Sequence, residues 1–171
     1  RQLSTALEHC RKAVKENATL APAWHLLGVI QAASGEHGQA VASFKTALRC
    51  GGHKNPDLLV FLAASSLDLD QLAEADDYVQ RALKLQPQHV FALNNLGNLR
   101  VRQGRPAEAI SAYEHTLALS PQHGNALKAL TQLLLQAERR EEAQALAQRA
   151  LALFPDELAL WQLLALARGG D

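Results

Sequence analysis

Residues of one chemical type recur along this chain at a step of 34. Ala75, Ala109 and Ala143 are spaced in this way, and so are Pro87, Pro121 and Pro155. Gly97 is matched one step earlier by Ala63, and at later steps by Thr131 and Ala165. Ala6 and Ala40 are also 34 apart, but Ala40 and Ala75 are 35 apart. The extra residue is expected in the loop Gly51-Gly52-His53-Lys54-Asn55. A period of this length means one supersecondary unit stacked on copies of itself, because a single unit cannot bury its own apolar face.

The unit is clearest between Phe91 and Pro121. Leu93, Leu96, Gly97 and Arg100 fall on one helical stripe, and Ala109, Ala112, Tyr113 and Thr116 fall on another. Gln103-Gly104-Arg105 separates the two patterns. Pro106 suits a first helical turn, where its missing N–H is not needed, and Pro121 stops the second helix. The repeat therefore predicts an antiparallel helical hairpin. Along the chain, helices are expected at 3–15, 22–34, 36–50, 56–69, 71–85, 90–103, 106–119, 125–136, 140–153 and 156–168. Small residues at Gly28, Ala63, Gly97 and Ala165, and at Ala40, Ala75, Ala109 and Ala143, allow the two helices of a hairpin to approach. Trp24, Phe44 and Tyr113 fill the space between neighbours, with Trp24 expected to be buried. Cys10 shares the slot of Phe44 and should be a buried small apolar group.

Trp24, Leu27, Gly28, Ala40, Phe44 and Ala47 stand at the spacings of the tetratricopeptide repeat, and the chain resembles that family. Leu93, Leu96, Gly97, Ala109, Tyr113 and Pro121 repeat the pattern. Weaker copies lie in Leu59, Leu62, Ala63, Ala75, Ala82 and Pro87, and in Leu127, Leu130, Ala143, Ala150 and Pro155. The resemblance implies an all-α, right-handed superhelical solenoid of antiparallel hairpins. It divides the chain into one array: a partial repeat at 1–20, full repeats at 21–55, 56–89, 90–123 and 124–157, and a terminal helix at 158–171. No methionine is present, so the sequence is expected to be a fragment of a longer protein.

Composition narrows the function. Seventeen basic and seventeen acidic residues cancel, which gives no electrostatic footprint for nucleic acid. No apolar run reaches the length of a membrane span, about 18 residues, and a cytoplasmic location is expected. The sequence contains no phosphate-binding glycine loop, GxSxG elbow or HExxH pair. No catalytic residue, metal site or cofactor is assigned, and the chain is not expected to be an enzyme. His89 and His123 follow helix-stopping prolines at equivalent positions and are not read as a ligand pair. Asp76-Asp77 and Glu141-Glu142 sit near the starts of second helices and complement the helix dipole.

Function is then expected from the surface. In the tetratricopeptide family the first helices line a concave face that binds extended peptides. The stripe opposite the core stripe takes Phe91, Asn94, Asn98 and Arg102 in one hairpin, and Asn125, Lys128 and Gln132 in the next. Amides both donate and accept, matching an extended backbone, while Arg102 and Lys128 would attract acidic groups. Asn94, Asn95, Asn98 and Lys128 do not reproduce the set that clamps the acidic tails of heat-shock chaperones. Leu26, Phe61 and Ala129 interrupt the asparagine ladder of O-linked N-acetylglucosamine transferases at the register of Asn95. The expectation is a protein-interaction scaffold for a peptide or partner protein; the alternative is a targeting or regulatory arm of a larger enzyme such as a glycosyltransferase. The helix rich in Leu158, Leu160, Trp161, Leu163, Leu164 and Leu166 is apolar nearly all round. Self-association is expected through it or through the unpaired first helix.

Overall fold

A computed structural model describes residues 2–169, with side chains from Thr5 onward. Residue 1 and residues 170–171 of the expected partial repeats lie outside the described residues. Ten α-helices and no strand are found among the described residues. They are α1 (Gln2–Glu16), α2 (Ala21–Ala33), α3 (His37–Arg49), α4 (Pro56–Asp68), α5 (Leu72–Leu85), α6 (Val90–Arg102), α7 (Pro106–Leu119), α8 (Gly124–Gln136), α9 (Arg140–Leu153) and α10 (Leu158–Ala167). All ten expected helices are present, with ends shifted by at most two residues. The extra residue between the first two full repeats is taken up by a 3-10 turn, Gly52–Lys54.

The chain forms two compact units, residues 1–95 and 96–171. In the first unit α1 packs on α2, α2 pairs with α3, α3 packs on α4, and α4 pairs with α5. In the second, α7 packs on α8, α8 pairs with α9, and α10 packs on both.

Two of the hairpins, α2–α3 and α6–α7, close where a large ring meets a missing side chain. A Cβ placed on Gly28 would lie 2.5 Å from the Phe44 ring, and one on Gly97 would lie 2.5 Å from the Tyr113 ring. Phe44 and Tyr113 are both buried. Phe44 also stacks on Phe61 of α4, with ring centroids 5.7 Å apart, so one side chain serves its own hairpin and the next. Ala40, Ala75, Ala109 and Ala143 are completely buried, as is Ala63. Cys10 is buried as expected, among Val14, Ala23, Leu27 and Ile30, and burial pushes its thiol pKa up.

Trp24 departs from expectation. It is half-buried against the α1–α2 cluster, and its indole Nε1 donates to Ala18 O at 2.8 Å. Trp161 of α10 repeats this with Pro155 O at 2.8 Å. An indole N–H needs an acceptor when its ring is desolvated, and the preceding loop supplies it. This slot holds the loop against the helix instead of filling a core.

Each hairpin turn uses one residue of left-handed backbone. Gly35 and Gly104 take φ of 77° and 69°, while Asp70 and Glu138 at the equivalent places take 58° and 59°. The residue after each closes a bond back over the helix end: Glu36 N–H to Gln31 O, Gln71 N–H to Ser66 O, Arg105 N–H to Arg100 O and Arg139 N–H to Leu134 O, all 2.8–2.9 Å. This pairing satisfies carbonyls that the helix itself leaves open.

Arg100, buried on the core stripe, is paired with Glu108 of α7, which lies 3.2 Å from its Nε. Its Nη1 also donates to Gln103 Oε1 at 2.6 Å. A buried guanidinium without such partners would be strongly destabilising.

The two ends differ. Among the described side chains of α1, the exposed ones are Thr5, Glu8, His9, Arg11, Lys12, Lys15 and Glu16, all polar. On α10, Leu158, Trp161 and Leu166 are exposed. Ala165, expected to let two helices approach, is exposed as well.

Two stability changes are expected. Gly97→Val drives a side chain into the Tyr113 ring and should cost about 1–3 kcal/mol, seen as a lower urea midpoint. Glu138→Gly removes an unfavourable left-handed conformation and should stabilise by about 1 kcal/mol, seen as a raised melting temperature.

Candidate functional site

In the second unit the expected ligand-facing residues come from the end of α6 and from α8. Asn98, Arg102, Asn125 and Gln132 are exposed. Asn98 is held from below: the Tyr113 hydroxyl donates to its Oδ1 at 2.6 Å. Burial pushes the Tyr113 phenol pKa up to about 12, so it remains a donor throughout the physiological range. The bond fixes the orientation of the amide and leaves its NH2 end to donate. Lys128 is half-exposed, and its Nζ lies 3.0 Å from Glu157 Oε1 at the start of α10. Its charge is therefore partly spent within the unit, which weakens its expected role toward acidic groups.

In the first unit the residues separate differently. Phe91 is exposed, with its ring 6.3 Å from that of His89. Asn94 is only 7% exposed, and its Oδ1 is buried without a hydrogen-bond partner. It occupies the repeat slot of Val60, which is likewise buried. The slot is buried in both repeats, so Asn94 offers a ligand far less than its place on the stripe suggests. Asn95 is a structural strut: its Nδ2 donates to Val60 O at 3.0 Å.

Sequence reasoning passed over two exposed apolar residues of this unit. Leu26 and Phe61 occupy the register of Asn95 on α2 and α4, and both are exposed. Their signal was visible as the interruption of an asparagine ladder. His25 sits between rings, edge-on to Phe44 at 5.8 Å and to Phe61 at 5.5 Å. Desolvation lowers its pKa, and the nearby Asp57 charge partly restores it.

Among the described residues no group of three side chains could hold a metal ion, and no helix is long and apolar enough to cross a membrane. Three family models described as tetratricopeptide repeat match residues 21–49, 56–122 and 100–167. The chain belongs to the tetratricopeptide repeat family. The matches omit residues 50–55, where the 3-10 turn accommodates the extra residue. No curated protein matches by sequence. Among solved structures, the chain is similar to YrrB, a tetratricopeptide repeat protein with an unusual peptide-binding site. Identity is 26% and TM-score 0.72, over 94% of this chain and 82% of that one. It is similar in fold to the thermophilic protein TTC0263 of Thermus thermophilus, with 22% identity and TM-score 0.79 over 97% and 90% of the two chains. MamA matches with 22% identity and TM-score 0.76 over 91% of each chain.

Within the tetratricopeptide repeats, the first helices α6 and α8 share an unusual start. The Ala92 N–H donates to His89 Nδ1 at 3.4 Å, and the Ala126 N–H donates to His123 Nδ1 at 3.2 Å. An imidazole here acts as an N-cap, the role usually taken by Ser, Thr, Asp or Asn. With Nδ1 accepting, Nε2 of His89 donates to Asp57 Oδ1 at 3.0 Å. Protonation of His123 would abolish its cap, since both ring nitrogens then donate.

Burial lowers the His123 pKa from its ordinary 6.5, partly offset by a hydrogen bond to backbone. The unfolded chain then takes up the proton first as pH falls. His123 thus contributes stability that is present above pH 6.5 and lost as pH drops through the lowered folded value. His123→Asn keeps a capping acceptor and removes the titration. It should flatten the decline of melting temperature below pH 6.5 relative to the parent chain.

Proposed function

We propose that this chain is a non-catalytic interaction module, a single array with full repeats at 21–55, 56–89, 90–123 and 124–157. Its first helices bind an extended segment of a partner protein. The carrying observation is the set of exposed amides Asn98, Asn125 and Gln132 on first helices of the second unit, with Asn98 pinned by Tyr113. An amide offers a donor and an acceptor side by side, as an extended backbone does. One that is already oriented loses less entropy on binding. The similarity to YrrB, itself a peptide-binding tetratricopeptide protein, supports the same reading.

Peptides selected from a random displayed library on the immobilised protein should bind the parent chain. They should lose about tenfold or more in affinity when Asn125→Ala and Gln132→Ala are combined with Arg102→Gln. Lys128→Glu is the wrong probe, because it sets a carboxylate against Glu157. Undiminished binding by the triple variant, with an unchanged melting temperature, would refute the assignment.

A further inference from the structure

The first helices of the first unit present a chemistry unlike that of the second. α2 carries no charged side chain, α6 carries none as far as Asn95, and α4 carries only Asp57 and Asp68. Against this background Leu26 is 52% exposed, Phe61 37% and Phe91 58%. Leu26 and Phe61 stand at one slot of successive repeats, on helices that touch. Phe91 lies against the His89 ring, and His89 in turn binds Asp57. Asp57 is thus linked through His89 to Phe91, and Asp68 lies about two turns along α4 from Phe61. Both carboxylates point to solvent, with 64% of the Asp57 side chain and 54% of that of Asp68 exposed. Their partners are histidines, His89 at 3.0 Å and His37 at 3.2 Å. His89 Nε2 donates a hydrogen bond to Asp57, whereas His37 is near Asp68 without hydrogen-bonding to it. The basic residues nearest in sequence, His53 and Lys54, belong to the 3-10 turn and not to these helices.

We infer that this face takes an extended segment bearing apolar side chains of the Leu or Phe type together with Lys or Arg. An acidic tail is the wrong ligand for it. Packed helices lie about 8–10 Å apart, which is about the rise of three residues of an extended polyproline II chain, where every third side chain returns to the same side. An apolar side chain at every third position would therefore meet successive first helices, with basic residues between or beside them meeting Asp57 and Asp68. The inference rests on the peptide-binding reading above and specifies its ligand for this unit.

Three fluorescein-labelled peptides test it, sharing Leu or Phe at every third position and flanked by Lys, by Ser or by Glu. Fluorescence anisotropy at low salt should rank them Lys, Ser, Glu, with about a tenfold span in affinity that narrows as salt is added. Leu26→Gln with Phe91→Gln replaces exposed groups only. It should weaken the Lys-flanked peptide about tenfold with an unchanged circular dichroism melt. Asp57→Asn with Asp68→Asn should erase the ranking while leaving the Ser-flanked affinity in place. Equal or tighter binding of the Glu-flanked peptide overturns the inference and leaves the general peptide reading standing. Failure of all three peptides, while library-selected peptides still bind and respond to the second-unit variant, overturns this inference alone. Failure of every peptide overturns both.

Discussion

A ring seated on a residue without a side chain holds two of these hairpins shut. Phe44 lies over Gly28 and Tyr113 over Gly97, each so close that even one methyl group would overlap the ring. The contact is local in sequence, because the two partners are sixteen residues apart on the two helices of one hairpin. It is also specific, since a closely packed interior has no slack in which to hide an added carbon. Neighbouring hairpins are then joined by what the rings present on their far side. Phe44 does this by stacking on Phe61 of α4.

Much of this was legible beforehand. A period of 34 with small residues at fixed places dictated helix pairs, and the helices appear where they were placed. The extra residue near Gly51 was traced to its loop, where it forms the 3-10 turn. The failures have a common physical origin. Trp24 was read as core because tryptophan is large and apolar, yet its N–H must find an acceptor, and Ala18 O draws it to the edge. Asn94 was read as surface because it lies off the core stripe. A helix in a stacked array has two packed sides, however, and a single stripe calculation sees only one of them.

The candidate site was less legible than the fold. Asn98, Arg102, Asn125 and Gln132 are exposed as expected. Lys128 had to share its charge with Glu157, a residue 29 positions away, and no local pattern reveals that pairing. The apolar character of Leu26 and Phe61 was in plain view, but their exposure depended on tertiary packing. His89 and His123 were recognised as equivalent. Their capping role stayed hidden, because histidine at that position is a minority choice among residues that can accept a hydrogen bond.

The bond from Tyr113 to Asn98 ties two properties that are usually treated apart. The phenol that clamps the hairpin interior also aims the amide that a ligand would meet. Any ligand that holds Asn98 in this orientation therefore favours the closed hairpin over its opened forms. By thermodynamic reciprocity, whatever loosens α7 from α6 must weaken that ligand by the same factor. Occupancy and local unfolding at this hairpin are linked functions, so slowed amide exchange along α7 would register the arrival of a ligand that never touches it.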